Sequence, residues 1–276
     1  MFSRLLLILV LTIAFISCSK DEKIYQSSEK IDPYIAYKEG YDSFKKNNFF
    51  YANKKFLEAE LNFENYELAA KSAIMSCFSL YGINFYTEAL GNIERFLKTY
   101  PVDKNVVYAE YLKAMIYFER ISGEEKDVQP LLDASRQIDY FVNKYPDTDY
   151  AIDLKFKKEL VINQLAAKEL YIAKYYISVQ KWIPAVNRLK IIVNQFDQTI
   201  FIEEALHRLV EIHYYLGLEK EAKRYAKILG YNYNSSDWFK QSYKILNKDY
   251  KITKDSSKKV NKEKNNILKK ILKKIK

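Results

Sequence analysis

A duplicated motif constrains the fold of this chain more than any other feature. The pattern A-x3-I-x2-F-x3-Y-P occupies residues 89–101 and recurs at residues 134–146. Its apolar spacing is helical, and its proline ends the helix. Weaker copies begin at Ala52, Ala185 and Ala222, so successive copies start 37, 45, 51 and 37 residues apart. A period just above the roughly 34 residues of a tetratricopeptide unit predicts an all-α, tetratricopeptide-like superhelix of about five helical hairpins.

The repeats predict one domain over residues 33–246. Its hairpins are expected at 33–64, 67–100, 106–146, 149–197 and 202–230, with residues 231–246 closing the stack. The third hairpin carries an insertion at 122–129, and the fourth opens with an unusually long helix from about Asp149. The chain has only six glycines and no glycine-rich phosphate loop, which disfavours both sheets and nucleotide binding.

The net charge of +10 belongs to the C-terminal tail and not to the repeats. Residues 247–276 hold twelve lysines and three acids, whereas residues 18–246 are neutral overall. A neutral body argues against a nucleic-acid-binding face. The tail ends in an apolar stripe at residues 267, 268, 271, 272 and 275 with lysines opposite. This pattern is typical of a basic amphipathic helix on a membrane or in a partner groove, but a solvated end fits equally well.

The first 17 residues predict a lipoprotein signal peptide. A short positive segment precedes an apolar run from Leu5 to Ile16, which is too short for a comfortable membrane span. Ser17 and Cys18 resemble the end of a bacterial lipobox, so Cys18 is the expected site of lipidation by acyl chains such as palmitate. Residues 18–32 then form a lipidated tether. The alternative is a cleaved secretory peptide with a chance cysteine. The other cysteine, Cys77, is expected to be a buried free thiol.

The sequence offers no catalytic constellation, cofactor site or metal site, so we do not expect an enzyme. The two histidines, His207 and His213, are six residues apart and fall on different faces of a helix. Glu204 and His207 have the spacing of a metal-ligand pair, but the second such pair is missing. A packing or surface role is therefore favoured for both histidines.

Residues 169–217 resemble the BamD family of tetratricopeptide-repeat lipoproteins. The most specific matches are A-K-Y-Y at 173–176, W-x2-A-V-N-R at 182–188 and E-A-L at 204–206, with further matches near residues 108–112 and 145–153. The resemblance extends over essentially 18–246. The chain departs from the family pattern at Val179, Val107, Lys113 and Ala114, and the lysine-rich tail lies outside it.

The resemblance implies a non-enzymatic scaffold of the β-barrel assembly machinery, lipid-anchored on the periplasmic face of the outer membrane. Its C-terminal repeats would hold BamA through the last POTRA domain of that protein, alongside other subunits of the complex. Arg188 matches the family arginine that contacts BamA, and Asn187 beside it is the second expected contact. An intramolecular salt bridge is the alternative role for Arg188. The N-terminal repeats would receive the C-terminal segments of unfolded outer-membrane barrel proteins.

A substrate groove is expected on the first helices of hairpins one to three. These helices were aligned on the small residues Gly40, Cys77 and Ala114. The alignment places the following side chains in the groove: Tyr34, Tyr37, Tyr41, Phe44, Ile74, Phe78, Tyr81, Tyr108, Tyr111, Met115 and Phe118. Exposed aromatic residues suit an extended apolar peptide. The alternative for each residue is packing between repeats.

Three other functions stay open at this stage. The chain could be another repeat lipoprotein of the cell envelope, such as a pilotin or a division or envelope coordinator. It could be a peptidoglycan-cleaving enzyme, although no room remains for a catalytic domain. It could also be a membrane-active protein that works through its basic tail.

Overall fold

The computed structural model describes residues 31–123 and 126–247 of the 276-residue chain. Over these ranges the backbone forms eleven α-helices and no strand, and the predicted all-α, tetratricopeptide-like fold is confirmed. The helices are α1 (Pro33–Lys45), α2 (Phe49–Asn62), α3 (Tyr66–Gly82), α4 (Tyr86–Thr99), α5 (Val106–Glu119), α6 (Gln129–Lys144), α7 (Asp149–Ser178), α8 (Trp182–Gln195), α9 (Ile202–Tyr215), α10 (Glu219–Asn232) and α11 (Asp237–Leu246). The predicted signal peptide, Cys18, nearly all of the tether and the lysine-rich tail lie outside the described residues.

The first ten helices follow the order of the five predicted hairpins, and the consecutive pairs α1–α2, α3–α4, α7–α8 and α9–α10 pack against each other. Helix α11 follows as a single helix. The connection between α5 and α6 is the longest within a hairpin, which is where the sequence carries its insertion. Helix α7 has 30 residues, about twice the length of its neighbours, and it begins at Asp149 as expected.

Four of the five hairpins turn through a residue in the left-handed conformation. These residues are Asn47, Asn84, Gln180 and Gly217, with φ angles of 58°, 60°, 56° and 75°. In each turn the next amide donates to the carbonyl five residues before it, at 2.8–3.0 Å. This is the Schellman arrangement, which satisfies the last carbonyl groups of a helix. Asparagine and glycine tolerate this conformation well, whereas glutamine at position 180 does not.

Gln180→Gly is therefore expected to stabilise the protein by about 0.5–1 kcal/mol, because glycine removes the Cβ clash at a positive φ but loses more entropy on folding. Thermal unfolding followed by circular dichroism should show a rise in Tm of about 2 °C. Gln180→Ala is the matched control, since it keeps the Cβ and should not raise Tm. Equal Tm values for the glycine and alanine variants would contradict the explanation.

The duplicated motif marks the end of the second helix in a hairpin. Helices α4, α6, α8 and α10 all end at an aromatic residue whose amide donates to the carbonyl four residues earlier, at 2.8–2.9 Å. These residues are Tyr100, Tyr145, Phe196 and Tyr233, with φ between −123° and −139°. The rings of Tyr100 and Tyr145 also pack on the phenylalanine four positions before them, at 5.4 and 5.1 Å. The repeated motif therefore specifies the same type of helix C-terminus at each of its occurrences.

The chain divides into two compact units, one ending at Lys113 and the other beginning at Ala114. In the first unit the alanines of the repeat pattern, such as Ala52 and Ala89, are fully buried and let the helices approach closely. Gly40 serves the same purpose, because a Cβ there would lie 3.0 Å from the ring of Phe56. In the second unit a continuous core joins α7, α8, α9 and α10, and Trp238 and Phe239 of α11 pack against it.

Candidate interaction surfaces

Five aromatic rings form a continuous row within the first unit, and we call them the aromatic row. They belong to Phe44 of α1, Phe78 and Tyr81 of α3, and Tyr108 and Tyr111 of α5. The centroid of the Phe78 ring lies 5.6 Å from Phe44, 6.0 Å from Tyr81 and 6.4 Å from Tyr108. Tyr111 continues the row, 6.3 Å from Tyr108. All five side chains are half-buried, so part of each ring is packed and part is accessible.

The aromatic row can bind apolar and aromatic side chains of another chain. Aromatic rings remove a large apolar area from water when they are covered, and pairs of rings gain further energy from edge and offset contacts. The row runs across three helices rather than along one. A ligand that covers it must therefore be extended enough to cross the first helices of successive hairpins.

Three further predicted groove residues extend along α1. Tyr34 and Tyr41 are exposed, and Tyr37 is half-buried. The Tyr34 ring meets Phe63 edge to face at 5.1 Å. The ammonium group of Lys45 lies 4.4 Å from the centre of the Tyr41 ring. These tyrosines therefore present accessible ring surface at the start of the first unit.

The remaining predicted groove residues lie elsewhere. Ile74 is only 5% exposed, so its assignment to an open groove was wrong. The physical reason is that α3 packs against both α2 and α4, which buries this position, whereas the equivalent Tyr37 lies on the first helix. Met115 and Phe118 are half-buried and belong to the other unit. The ammonium group of Lys157 lies 5.7 Å from the centre of the Phe118 ring.

A buried carboxylate joins α2 to α4 in the first unit, and sequence reasoning missed it. Glu60 is 6% exposed. Arg95 donates to both of its carboxylate oxygens through Nη1 and Nη2, and the Tyr100 hydroxyl lies 3.1 Å from Oε1. Burial and the adjacent Glu60 charge raise the pKa of Tyr100 to about 12, so this phenol stays protonated and donates. The signal available in the sequence was a charged residue directly after the buried Ala59 of the repeat.

Cys77 of α3 is buried and unpaired, as predicted. Burial raises the pKa of its thiol to about 12. A thiol that stays protonated is a poor nucleophile and a poor metal ligand, so this cysteine has a packing role.

Arg188 lies in the middle of α8. Its Nη1 group donates to both oxygens of Glu169 on α7, at 3.0 and 3.2 Å. The Arg188 side chain is 39% exposed and that of Glu169 is 17% exposed. Both hydrogen bonds use the same nitrogen, so the guanidinium group has further N–H donors to offer a partner. Asn187, the other predicted contact, is exposed on the same helix.

The tips of the fourth and fifth hairpins expose an apolar patch that the sequence analysis did not identify. We call Val179, Ile183, Tyr215 and Leu216 the hairpin-tip surface, and all four are exposed, Ile183 by 76%. The two tips touch, since the rings of Trp182 and Tyr215 are 5.0 Å apart. Val179, one of the positions that depart from the family pattern, contributes exposed apolar surface to this tip. Such a patch is typical of a protein-interaction site.

A concave pocket of about 640 Å³ lies next to these tips, lined by residues that include Ile177, Trp182, Arg208, Glu211, Tyr214 and Ile245. Its charged groups are already engaged. Arg208 donates to Glu211 at 2.7 Å and to Glu204 at 3.3 Å. Burial opposes ionisation of Glu211, but hydrogen bonds from His207 and Arg208 outweigh it and lower the pKa of this carboxyl group. The pocket therefore presents a neutralised ion-pair cluster beside an aromatic wall.

His207 links α9 to α11 through a hydrogen bond, whereas His213 bonds within α9 and packs its ring 5.2 Å from that of Tyr225 on α10. His207 Nδ1 lies 2.8 Å from the Ser242 hydroxyl of α11, and His213 Nδ1 lies 2.7 Å from the Leu209 carbonyl oxygen. Both are buried. Glu204 pairs with Lys174 and Arg208 and makes no metal-ligand pair with His207. In the part of the chain that the structure covers, no group of three or more His, Cys, Asp or Glu side chains is placed to hold a metal ion.

None of the eleven helices described here combines the length and the hydropathy that a transmembrane helix needs. Even α7, the longest of them, carries charged residues along its whole length.

Comparison with known proteins identifies the family. A family model described as YfiO, outer membrane lipoprotein, matches residues 29–229, which include α1 through most of α10. The outer membrane protein assembly factor BamD of Caulobacter vibrioides is 35% identical over 213 residues, covering 77% of this chain and 70% of the relative. BamD of Rickettsia prowazekii is 34% identical over 180 residues, covering 65% and 72%. BamD of Neisseria meningitidis serogroup A is 25% identical over 258 residues, covering 87% and 95%.

Proposed function

This chain belongs to the YfiO family of outer membrane lipoproteins, and we propose that it is a non-enzymatic, lipid-anchored scaffold that assembles β-barrel proteins into the outer membrane. The match to proteins named as outer membrane protein assembly factors carries this proposal, because two of them are 35% and 34% identical over 213 and 180 residues and the family model covers residues 29–229. The described surfaces agree with a scaffold. They present apolar patches and engaged ion pairs, which suit binding rather than bond-breaking chemistry.

The C-terminal hairpins are the proposed binding surface for BamA. Three features of the second unit support this role: the exposed Asn187, the half-exposed Arg188 and the adjoining hairpin-tip surface. An apolar patch with a few polar groups at its edge is the usual composition of a protein interface. Arg188 would add a charge-assisted hydrogen bond to an acidic group of the partner.

The aromatic row is the proposed binding site for unfolded barrel segments. Unfolded β-barrel strands alternate apolar with polar residues, so one side of an extended segment is apolar. The apolar side of such a segment can cover the rings of Phe78, Tyr81 and Tyr108, whose centroids are about 6 Å apart. The accessible tyrosines of α1 would lengthen this site.

Replacing two of these rings is expected to weaken peptide binding at least tenfold. The variant Tyr41→Ala/Phe78→Leu removes aromatic area, while leucine keeps part of the packing around position 78. Loss of an aromatic contact at an interface commonly costs more than about 1.4 kcal/mol, which is a factor of ten. Fluorescence anisotropy with a labelled C-terminal strand peptide of an outer-membrane barrel measures the affinity.

The matched control is Phe50→Ala, which removes an aromatic residue that is 65% exposed on α2 and is not part of the aromatic row. This variant should bind the peptide normally. Unchanged affinity of the double variant, with its helicity intact by circular dichroism, would mean that the substrate binds elsewhere.

Cys18→Ala is expected to release the protein from the outer membrane. Acyl chains contribute about 0.8 kcal/mol per buried CH₂, and two or more chains make anchoring stable. Metabolic labelling with palmitate followed by membrane fractionation checks the prediction. Cys77→Ala is the matched control, because that thiol is buried in α3 and should not affect labelling. Acylation of the Cys18 variant and its recovery in the outer membrane would disprove the anchor.

Affinity purification of the full-length protein from its native membrane tests the proposed function as a whole. BamA should be among the proteins that copurify, at a constant ratio to the tagged chain. Recovery of a different cell-envelope complex, with no BamA, would overturn the proposal in favour of another repeat lipoprotein.

A further inference from the structure

An apolar groove of about 850 Å³ lies between α10 and α11, and the contacts described so far do not account for it. Its walls include Ala226, Gly230, Tyr231, Phe239, Tyr243 and Leu246. The volume is in the range of small-molecule sites, roughly 300–1,000 Å³. The matched family model ends at residue 229, so α11 and most of this groove lie outside it.

The groove is built by a close approach of the two helices. A Cβ at Gly230 would lie 2.7 Å from the Phe239 ring, so only glycine allows α11 to pack this tightly. Several apolar side chains beside this contact are exposed. Tyr231 is 89% exposed, and Tyr243 and Ile228 are also exposed. A tyrosine-rich apolar surface at the end of a domain is typical of residues that sit at a membrane–water interface.

The charges around the groove are positive. Lys223 and Lys227 line it. Lys223 pairs with Glu219 at 3.3 Å, and both side chains are mostly exposed, so this pair is easily exchanged for another anion. Between residues 219 and 247 six basic residues outnumber three acidic ones. The chain then continues directly from Leu246 into the tail with its twelve lysines.

From this arrangement we propose that the groove binds an anionic phospholipid. An acyl chain would lie along Tyr231, Phe239 and Tyr243, and the phosphate would lie against Lys223 and Lys227. Each methylene group that leaves water strengthens binding about fourfold. The positive charge of the groove favours an anionic occupant over the tail, which is itself strongly basic. The site would give the domain a membrane contact separate from any anchor at Cys18.

Photocrosslinking tests the inference on full-length protein in mixed micelles, which does not depend on the anchor or on BamA. Phosphatidylglycerol with a diazirine in its acyl chain is compared with the phosphatidylcholine analogue. Mass spectrometry should place the phosphatidylglycerol crosslinks on α10 and α11. Lys227→Glu should lower labelling at least fivefold, because each lysine near an anionic lipid surface contributes about that factor. Tyr231→Ser should also lower labelling, because it removes an apolar ring from the wall of the groove. Lys155→Glu, which changes an exposed lysine of α7, should leave labelling unchanged.

Four results would overturn the inference. Equal labelling by the two lipids, or labelling that Lys227→Glu leaves unchanged, would show that the groove does not select an anionic lipid. A severalfold rise in labelling after deletion of residues 248–276 would show that the tail occupies the groove instead. Crosslinking of the groove to a copurifying protein in native membranes, without lipid, would make it a protein-binding site. Unchanged or lower labelling after the deletion supports the lipid.

Discussion

Arg188→Glu should lose at least about thirtyfold in affinity for BamA. Removing one partner of a charged, hydrogen-bonded interface pair typically costs 2–5 kcal/mol, partly because the opposite charge is left unpaired. Reversing the charge adds repulsion. The measurement is quantitative copurification of BamA with tagged protein at equal expression, supported by binding of the purified proteins. Lys190→Glu, an equal charge change at an exposed position of the same helix, should keep BamA bound.

The internal salt bridge to Glu169 makes a charge swap the decisive control. Arg188→Glu alone places two carboxylates where the structure has an ion pair at 3.0 Å, so the isolated protein should also melt lower. The double variant Glu169→Arg/Arg188→Glu restores the internal pair in reverse. We expect it to recover Tm but not BamA binding. Recovery of both would show that Arg188 acts only within the chain, and the proposed contact would be wrong.

The repeat pattern predicted the helices because each repeat uses the same physical devices. Alanine at the start of the motif lets two helices approach, and the backbone amide of the aromatic residue at its end donates to the carbonyl four residues earlier, where the helix ends. The positions of Ala89, Ala134 and Tyr100 follow from these local rules. Ile74 shows that local spacing does not predict which positions are buried between helices. Its burial depends on α2 and α4 packing on both sides of α3, which spacing within one helix does not reveal.

Pairs between helices were equally hard to predict. Arg188 and Glu169 are 19 residues apart, and Glu60 and Arg95 are 35 apart. Both are Arg–Glu pairs, yet the chain has many glutamates and no rule in a single sequence selects the partner. The hairpin-tip surface was missed for a related reason. Ile183 has the residue type of a core position, and only the structure shows that no neighbour covers it.

Polar contacts beneath the aromatic row hold α3 in place. Ser76 of α3 donates to Asn53 of α2 at 2.7 Å, and Asn92 of α4 donates to Ser76 at 3.3 Å. The Glu60–Arg95 pair adds a direct link between α2 and α4. Because Phe78 and Tyr81 lie on α3, the spacing of the aromatic row depends on these contacts. A mutation in this buried network should therefore weaken peptide binding by destabilising the first unit, not by removing a contact with the peptide.

Glu60→Ala is accordingly expected to lower the free energy of unfolding by about 3 kcal/mol. Removing one partner of a buried ion pair typically costs 3–5 kcal/mol, and the lower end applies because Arg95 is 39% exposed and can partly hydrate. Glu60→Gln keeps the shape and some hydrogen bonds, so its loss should be smaller. Glu58→Ala is the matched control on the same helix. Its pair with Lys55 is partly buried, but Lys55 keeps a second partner in Glu39, so the loss should be smaller than for Glu60→Ala.

Urea unfolding with two probes can assign this loss to the correct unit. Both tryptophans, Trp182 and Trp238, lie in the second unit, whereas circular dichroism reports helices of both. Glu60→Ala should move the circular dichroism transition to lower urea and shift the tryptophan transition less. The peptide affinity of the aromatic row should fall only where the first unit is partly unfolded. A loss below about 1 kcal/mol would mean that the Glu60 network is not a main support of the first unit.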